Sequence, residues 1–145
     1  MALGGGGRSP HGRPRRLGDL IVASGNVVHD LGSIDWSRPD GTDDWNRRFD
    51  EATQAVLRER PADAPSLVEH RDYRRAAPTP EHFVPVLYLA GLAAAASRPL
   101  DVLIEGGAYG SLSMTCFGLD ARCPEAAEAG GAAPIPAASP EDANV

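Results

Sequence analysis

The first apolar run of the chain, Asp19 to Ser24 (DLIVAS), is short and ends at the turn residues Gly25-Asn26. A compact apolar run that stops at a turn is typical of a buried, parallel strand, so a central strand is predicted here. Val27, Val28 and Leu31 are apolar around His29. This places His29 just past the carboxyl end of the predicted strand, at the edge where open α/β sheets bind ligands.

The next apolar pattern has helical spacing. Thr42 or Asp43 is a suitable N-cap for it, and Pro61 follows its end. Its apolar positions recur every three to four residues: Trp45, Phe49, Ala52, Val56 and Leu57. We therefore predict a helix from about residue 43 to residue 59, with one face buried. A second, shorter helix is predicted at residues 66–73, followed by a loop at residues 74–78.

A third helix is predicted to open at Thr79. Threonine is a good N-cap, Pro80 suits the first helical position, and Glu81 in the first turn favours the helix dipole. His82 then falls in that first turn, and Pro85 is expected to cause a local irregularity. The apolar run from residue 83 to residue 96 has almost no polar side, which predicts a helix buried all round.

Two further strands are predicted, at Leu100–Ile104 and, by alternation, at Ser111–Phe117. The order strand, helices, strand, strand predicts the fold class α/β. It fits a partial sheet with packed helices better than a complete doubly wound domain.

Composition divides the 145 residues into three parts. Residues 1–16 are rich in glycine and arginine and residues 120–145 in alanine and proline, so both are predicted to be disordered tails. Residues 17–119 then form one domain of ordinary size. With a net charge of −6, neither tail reads as a nucleic-acid arm, and the apolar run 83–96 is too short to span a membrane. The oligomeric state stays open.

The two cysteines, Cys116 and Cys123, form no CxxC pair and no zinc motif. No apolar segment of a secretory signal follows the N-terminal arginines. Together these features predict a reduced chain in the cytoplasm.

Of the four histidines, His11 and His70 lie in polar or charged stretches and are expected to be solvated. His29 and His82 are flanked by apolar residues, where an unpaired imidazole would be costly. Spacing alone favours two satisfied core histidines over two ligands. Glu81 is a further candidate ligand, although its position favours a glutamate that stabilises the helix N-terminus, which needs no metal.

Three stretches of sequence favour a functional role for His29 and His82 over a purely structural one: LIVASGNVVHDL (residues 20–31), PTPEHFVPVLYLAG (residues 78–91) and GSLSM (residues 110–114). In their order and spacing they resemble the LigB-type class III extradiol ring-cleavage dioxygenases of the 4,5-DOPA dioxygenase kind. The resemblance covers residues 17–117. It implies a C-terminal fragment of the LigB-type fold, and an oxidoreductase that opens a catecholic or DOPA-like small aromatic substrate with dioxygen.

The resemblance also implies a non-haem Fe(II) or Zn(II) cofactor. His29 matches the histidine of the family's SGNxVH signature, an active-site acid/base, and His82 matches the histidine of the TPEH signature, a metal ligand. The assignment of these two roles stays open, since His29 is also a candidate ligand and the acid/base and ligand roles could be shared or reversed. The chemistry suits these residues: such a metal needs ligands on one face, and an imidazole transfers protons near neutral pH.

The family's two other metal-binding histidines precede these motifs and have no counterpart among residues 1–16. We therefore expect this polypeptide alone to be a poor or inactive dioxygenase. The alternative functions are a catalytically inactive remnant and a small α/β interaction module.

Overall fold

The computed structural model describes residues 21–121. Its helices are α1 (Asp44–Glu59), α2 (Tyr73–Ala76) and α3 (Val84–Ala96), with 3-10 helices at Leu31–Ser33 and Pro61–Glu69. Its strands are β1 (Asp101–Ile104), β2 (Gly107–Ala108), β3 (Leu112–Ser113) and β4 (Cys116–Gly118). The predicted tail 1–16 and almost all of the predicted tail 120–145 lie outside the described residues, so both remain predictions.

Helix α1 confirms the prediction made from apolar spacing. Trp45, Phe49 and Leu57 are buried along one face, and the chain leaves the helix just before Pro61. Asp43 is the N-cap residue, but its carboxylate does not cap the helix. It accepts instead from the Arg38 guanidinium (3.0 Å) and from the Trp45 indole N–H (3.2 Å).

The segment after α1 differs from the prediction. Residues 61–69 form a 3-10 helix with Pro65 inside it, and the helix predicted at residues 66–73 is absent as such. A proline in a helix removes a backbone donor, which disfavours a longer α-helix here. One short helical turn, α2, then occupies part of the predicted loop 74–78. The 3-10 helix Pro61–Glu69 packs against both α1 and α3 and so joins them.

Helix α3 begins at Val84 and not at Thr79, so His82 lies in the turn before the helix and not in its first turn. Pro85 explains the shift: at the second helical position its missing N–H costs no intrahelical bond. The prediction of burial on all sides is also wrong for the described residues. Val86, Ala90 and Ala93 are buried, whereas Tyr88 is 72% exposed.

The strands form two small antiparallel sheets, one pairing β1 with β4 and one pairing β2 with β3. The strand predicted at residues 100–104 is confirmed, and the one at 111–117 is two short strands, β3 and β4. The prediction of a parallel central strand at residues 19–24 is wrong for residues 21–24, which are exposed and form no strand pairing with the other described residues. Apolar content cannot make a strand central when no neighbour offers backbone partners.

One apolar core lies between α1, the 3-10 helix Pro61–Glu69 and the buried face of α3. The fold is therefore α/β with a partial sheet and packed helices, as predicted, but the sheets are antiparallel. Within residues 21–121, no helix is both long enough and apolar enough to cross a membrane. The largest apolar side chains that are almost fully buried are Phe49, Leu57, Phe83 and Leu100.

Candidate metal and acid-base site

His29 is held by backbone bonds on both sides. Its N–H donates to the Ala76 carbonyl at the end of α2 (2.8 Å), and the next amide, of Asp30, donates to the Ser111 carbonyl (3.2 Å). His29 also forms an isolated antiparallel bridge with Leu112. The side chain is consequently buried, with 6% of the residue exposed.

His82 is positioned by its neighbour in the chain. Phe83 is 1% exposed and packs edge-to-face on the Tyr73 ring, with 5.3 Å between centroids. Because Phe83 fills the core, His82 is fixed at the surface end of the same turn and remains exposed. The described residues give its ring no hydrogen-bond partner.

The structure brings the two predicted site histidines together. The ring centroids of His29 and His82 are 4.6 Å apart and the planes are tilted by 37°. The residues are 53 positions apart in the chain, so only the fold can produce this contact.

Gly25 permits this close approach. A side chain at Gly25 would place a Cβ 2.3 Å from the His82 carbonyl oxygen and 3.1 Å from Cγ of Pro85. The first of these distances is too short for any residue with a Cβ, because the atom it meets is a backbone oxygen. The SGN turn can therefore lie against the start of α3 only because residue 25 is glycine.

The surroundings of the His29 ring distinguish its two nitrogens. Nδ1 lies 3.2 Å from the Asn26 carbonyl oxygen, which can only accept. This contact favours the tautomer with the proton on Nδ1, in which the neutral ring has its lone pair on Nε2. Asn26 is itself anchored, since the Nδ2 atom of its side chain donates to the Ser113 carbonyl at 2.6 Å.

Glu81 lies next to this pair. Its carboxylate accepts a short hydrogen bond from the Thr79 hydroxyl, which holds the pKa of the Glu81 carboxyl below its ordinary value. A backbone hydrogen bond and the nearby His82 and His29 act in the same direction. Oxygen Oγ1 of the same threonine lies 3.4 Å from Nε2 of His29.

As donors, two adjacent imidazoles suit a ferrous or zinc ion, because both metals accept neutral histidine nitrogen. Such an ion needs three or more protein ligands. Within residues 21–121, no group of three or more His, Cys, Asp and Glu side chains is placed to hold a metal ion. The pair therefore fits two positions of a metal site, and within residues 21–121 the Glu81 carboxylate is not placed to complete it.

A cavity of about 320 Å³ opens beside His82. That volume lies in the range of small-ligand pockets, about 300–1,000 Å³. Its lining is mainly apolar and includes Gly25, His82, Met114 and Phe117. A planar aromatic molecule would be in contact with the imidazole there.

Sequence reasoning missed three contributors to the site. Thr79 was interpreted as a helix cap, yet its hydroxyl faces Glu81 and His29. The carbonyl of Asn26 and the small size of Gly25 act through the backbone, so residue type alone gives little signal of either role.

Comparison with known proteins adds to this geometry. The chain is 38% identical over 104 residues to "4,5-DOPA dioxygenase extradiol" of Escherichia coli (strain K12), an alignment that covers 69% of this chain and 38% of that protein. In structure it is similar to an uncharacterized protein from Escherichia coli K12, with a TM-score of 0.57 and 34% identity over 65% of this chain and 40% of that one. No protein-family model matches. The chain thus spans about two fifths of the length of these relatives.

Proposed function

We propose that this chain, a 4,5-DOPA dioxygenase-like fragment, supplies the acid-base histidine and one metal-binding histidine of an extradiol ring-cleavage dioxygenase. The observation that carries the proposal is the contact between His29 and His82, whose ring centroids are 4.6 Å apart. Each histidine comes from a different one of the stretches that resemble the dioxygenases. The substrate class is a small catecholic aromatic molecule, and the second substrate is dioxygen.

In this proposal His82 binds the metal. Its ring is exposed beside the cavity, and the described residues leave both of its nitrogens without a partner, so either could coordinate. An Fe(II) or Zn(II) ion held there would act as a Lewis acid towards the two catechol oxygens. His29 could contribute a second nitrogen to the same ion, which keeps its assignment as a ligand open.

His29 is the proposed acid-base group. Because Nδ1 faces the Asn26 carbonyl, Nε2 is the nitrogen that takes a proton from a catechol hydroxyl and later returns it. Burial of the ring and the backbone bond to Ala76 hold the imidazole in one orientation.

A metal titration of the purified chain tests the coordination. We expect weak binding of Zn(II), or of Fe(II) under anaerobic conditions, because the described residues supply two imidazoles and no third ligand. His82→Gln should abolish that binding, whereas His11→Gln, outside the three family-like stretches, should leave it unchanged. Tight stoichiometric binding would show that our two-ligand interpretation is wrong.

A chimera tests the chemistry. Residues 21–118 would replace the aligned region of the Escherichia coli 4,5-DOPA dioxygenase, and the ring-opened product would be followed by its absorbance. We expect the chimera to cleave DOPA or a related catechol. His29→Gln should lower its rate by at least about 100-fold, the usual contribution of a positioned acid-base group, and His82→Gln should lower it by removing a metal ligand. Full ring cleavage by both variants would refute the assigned roles.

A further inference from the structure

The Thr79 hydroxyl lies between two groups that compete for its single proton. On one side is the Glu81 carboxylate, which accepts a short hydrogen bond from it. On the other side is Nε2 of His29, 3.4 Å from Oγ1. A hydroxyl has one proton to donate and two lone pairs with which to accept, so it cannot donate to both groups at once.

The two acceptors differ in charge and in distance from Oγ1. Ordinary N–H···O contacts lie at about 2.7–3.2 Å. The 3.4 Å separation of Nε2 from Oγ1 is longer than this range, so a hydrogen bond between them is weak. The Glu81 carboxylate accepts a hydrogen bond from the Thr79 hydroxyl, and an ionised oxygen is a stronger acceptor than a neutral ring nitrogen.

The opposite side of the ring leads to the same conclusion. The Asn26 carbonyl lies 3.2 Å from Nδ1 and cannot donate, so it favours the neutral tautomer protonated on Nδ1. In that tautomer Nε2 has a lone pair and no proton. A proton donated by Thr79 would occupy this lone pair, but Glu81 engages that proton instead.

We propose that Thr79 and Glu81 are positioning residues for His29: Glu81 accepts the Thr79 proton, and Nε2 of His29 is thereby left free to accept a proton from a bound substrate. The inference rests on the proposed function for the use of that lone pair. The hydrogen-bond arrangement itself does not depend on it.

The same arrangement serves the return step. Once Nε2 has taken a proton, the new N–H faces the lone pairs of the Thr79 oxygen, while Nδ1–H still faces the Asn26 carbonyl. Both donors of the protonated ring then have acceptors without any rotation of the imidazole. Thr79 therefore supports both forms of the ring, provided that Glu81 keeps its hydroxyl turned away.

Nitrogen NMR of the full-length chain, labelled with ¹⁵N-histidine and free of metal, tests this directly. His29→Gln assigns the His29 signals. At mildly alkaline pH, where an ordinary imidazole is neutral, we expect Nδ1 to be protonated and Nε2 to give the signal of a nitrogen without a hydrogen bond. A ring protonated on Nε2 would overturn the proposal.

Glu81→Ala provides the decisive change. Without the carboxylate, the Thr79 hydroxyl should turn and donate to Nε2, and the Nε2 resonance should move upfield as an accepting nitrogen does. Adding Thr79→Val, which is nearly isosteric but has no hydroxyl, should move the resonance back, whereas adding Thr79→Ser should retain the shift. Glu51→Ala, an exposed carboxylate on α1, is the matched control and should leave Nε2 unchanged.

An Nε2 resonance that does not move in Glu81→Ala would overturn the proposal. A shift that persists after Thr79→Val is added to Glu81→Ala would also overturn it. The backbone amide spectrum shows whether each variant is folded, so a structural collapse cannot be mistaken for either outcome. Because the experiment uses the metal-free protein, failure of the dioxygenase proposal would show in the chimera and the titration and leave this result intact.

Discussion

The Ser113 hydroxyl on β3 donates a hydrogen bond of 2.5 Å to the Asp50 carboxylate on α1. Both residues are buried, with 1% of Ser113 and 8% of Asp50 exposed. The other carboxylate oxygen accepts from Thr115 and Gln54, at 2.8 Å each. This carboxylate joins α1 to the β3–β4 segment, and the same β3 residue supplies the carbonyl that anchors Asn26.

Removal of the Ser113 hydroxyl should destabilise the fold. Ser113→Ala leaves one oxygen of a buried carboxylate without its donor, which costs about 1–3 kcal/mol. Chemical denaturation followed by circular dichroism would measure the loss. Ser37→Ala is the matched control, since it removes an exposed serine that bonds Asp35 at 2.6 Å, and it should change stability by less than about 0.5 kcal/mol. Equal losses for the two variants would contradict the role given to Asp50.

Two glycines, Gly25 beside the site and Gly91 within α3, should respond in opposite ways to alanine. Gly25→Ala would force its Cβ against the His82 carbonyl, so we expect a loss of about 1–3 kcal/mol and a wider separation of the two imidazoles. Gly91→Ala in α3 meets nothing within 4 Å and should gain about 0.5–1 kcal/mol from helix propensity. Denaturation gives the stabilities, and NOEs between the histidine rings report their separation. Unchanged NOEs in Gly25→Ala would show that this glycine does not control the approach.

The core can be tested with one substitution at two places. Leu57 on α1 is fully buried, and its carbonyl accepts from the Leu100 amide at the start of the sheet region. Leu57→Ala should therefore cost about 2–5 kcal/mol in the free energy of unfolding. Leu31, close to His29 in sequence, is 66% exposed, and Leu31→Ala should have little effect. A large loss for Leu31→Ala would mean that this leucine is covered in solution.

The extent to which the sequence predicted this fold depends on where the determining contacts lie. Helix α1 was predicted correctly because its apolar spacing reports burial on one side of a local element. Strand β1 was predicted from a short apolar run. The strand at residues 19–24 was not, because its state depends on neighbours that are absent from the described part. The start of α3 was misplaced because Pro80 and Pro85 both suit a first turn, and the structure places Pro85 there.

For the site, the sequence indicated the two histidines but not their environment. His29 and His82 stood out by their apolar flanks and by the resemblance, and the structure brings them into contact; their roles remain predictions. The polar face of α1 that supports the site could have been predicted from the sequence, since Asn46, Asp50 and Thr53 recur at helical spacing. The structure buries all three. The position of the Thr79 hydroxyl beside His29 could not be predicted, because the two residues are 50 positions apart in the chain.

The ion pair between Arg48 and Asp72 predicts how stability depends on pH. The Arg48 guanidinium donates to both oxygens of the Asp72 carboxylate, at 3.0 and 3.2 Å, and this holds the pKa of the carboxyl below its ordinary value. Arg71 and His70 act in the same direction, while burial opposes them. Because the pKa is lower in the folded state, the contribution to stability is fully present above the unfolded value of about 3.9 and is lost as pH falls through the folded value.

Asp72→Asn should therefore lower stability at neutral pH and flatten its decline on the acid side of about pH 4. Urea denaturation of both proteins between neutral pH and about pH 2 measures the two curves. Asp44→Asn is the control. Asp44 lies on α1 near Arg48 with 79% of its side chain exposed, so this variant should retain the wild-type loss of stability at acid pH. If the Asp72→Asn curve fell as steeply as the wild type, the acid sensitivity would have to come from other carboxyl groups.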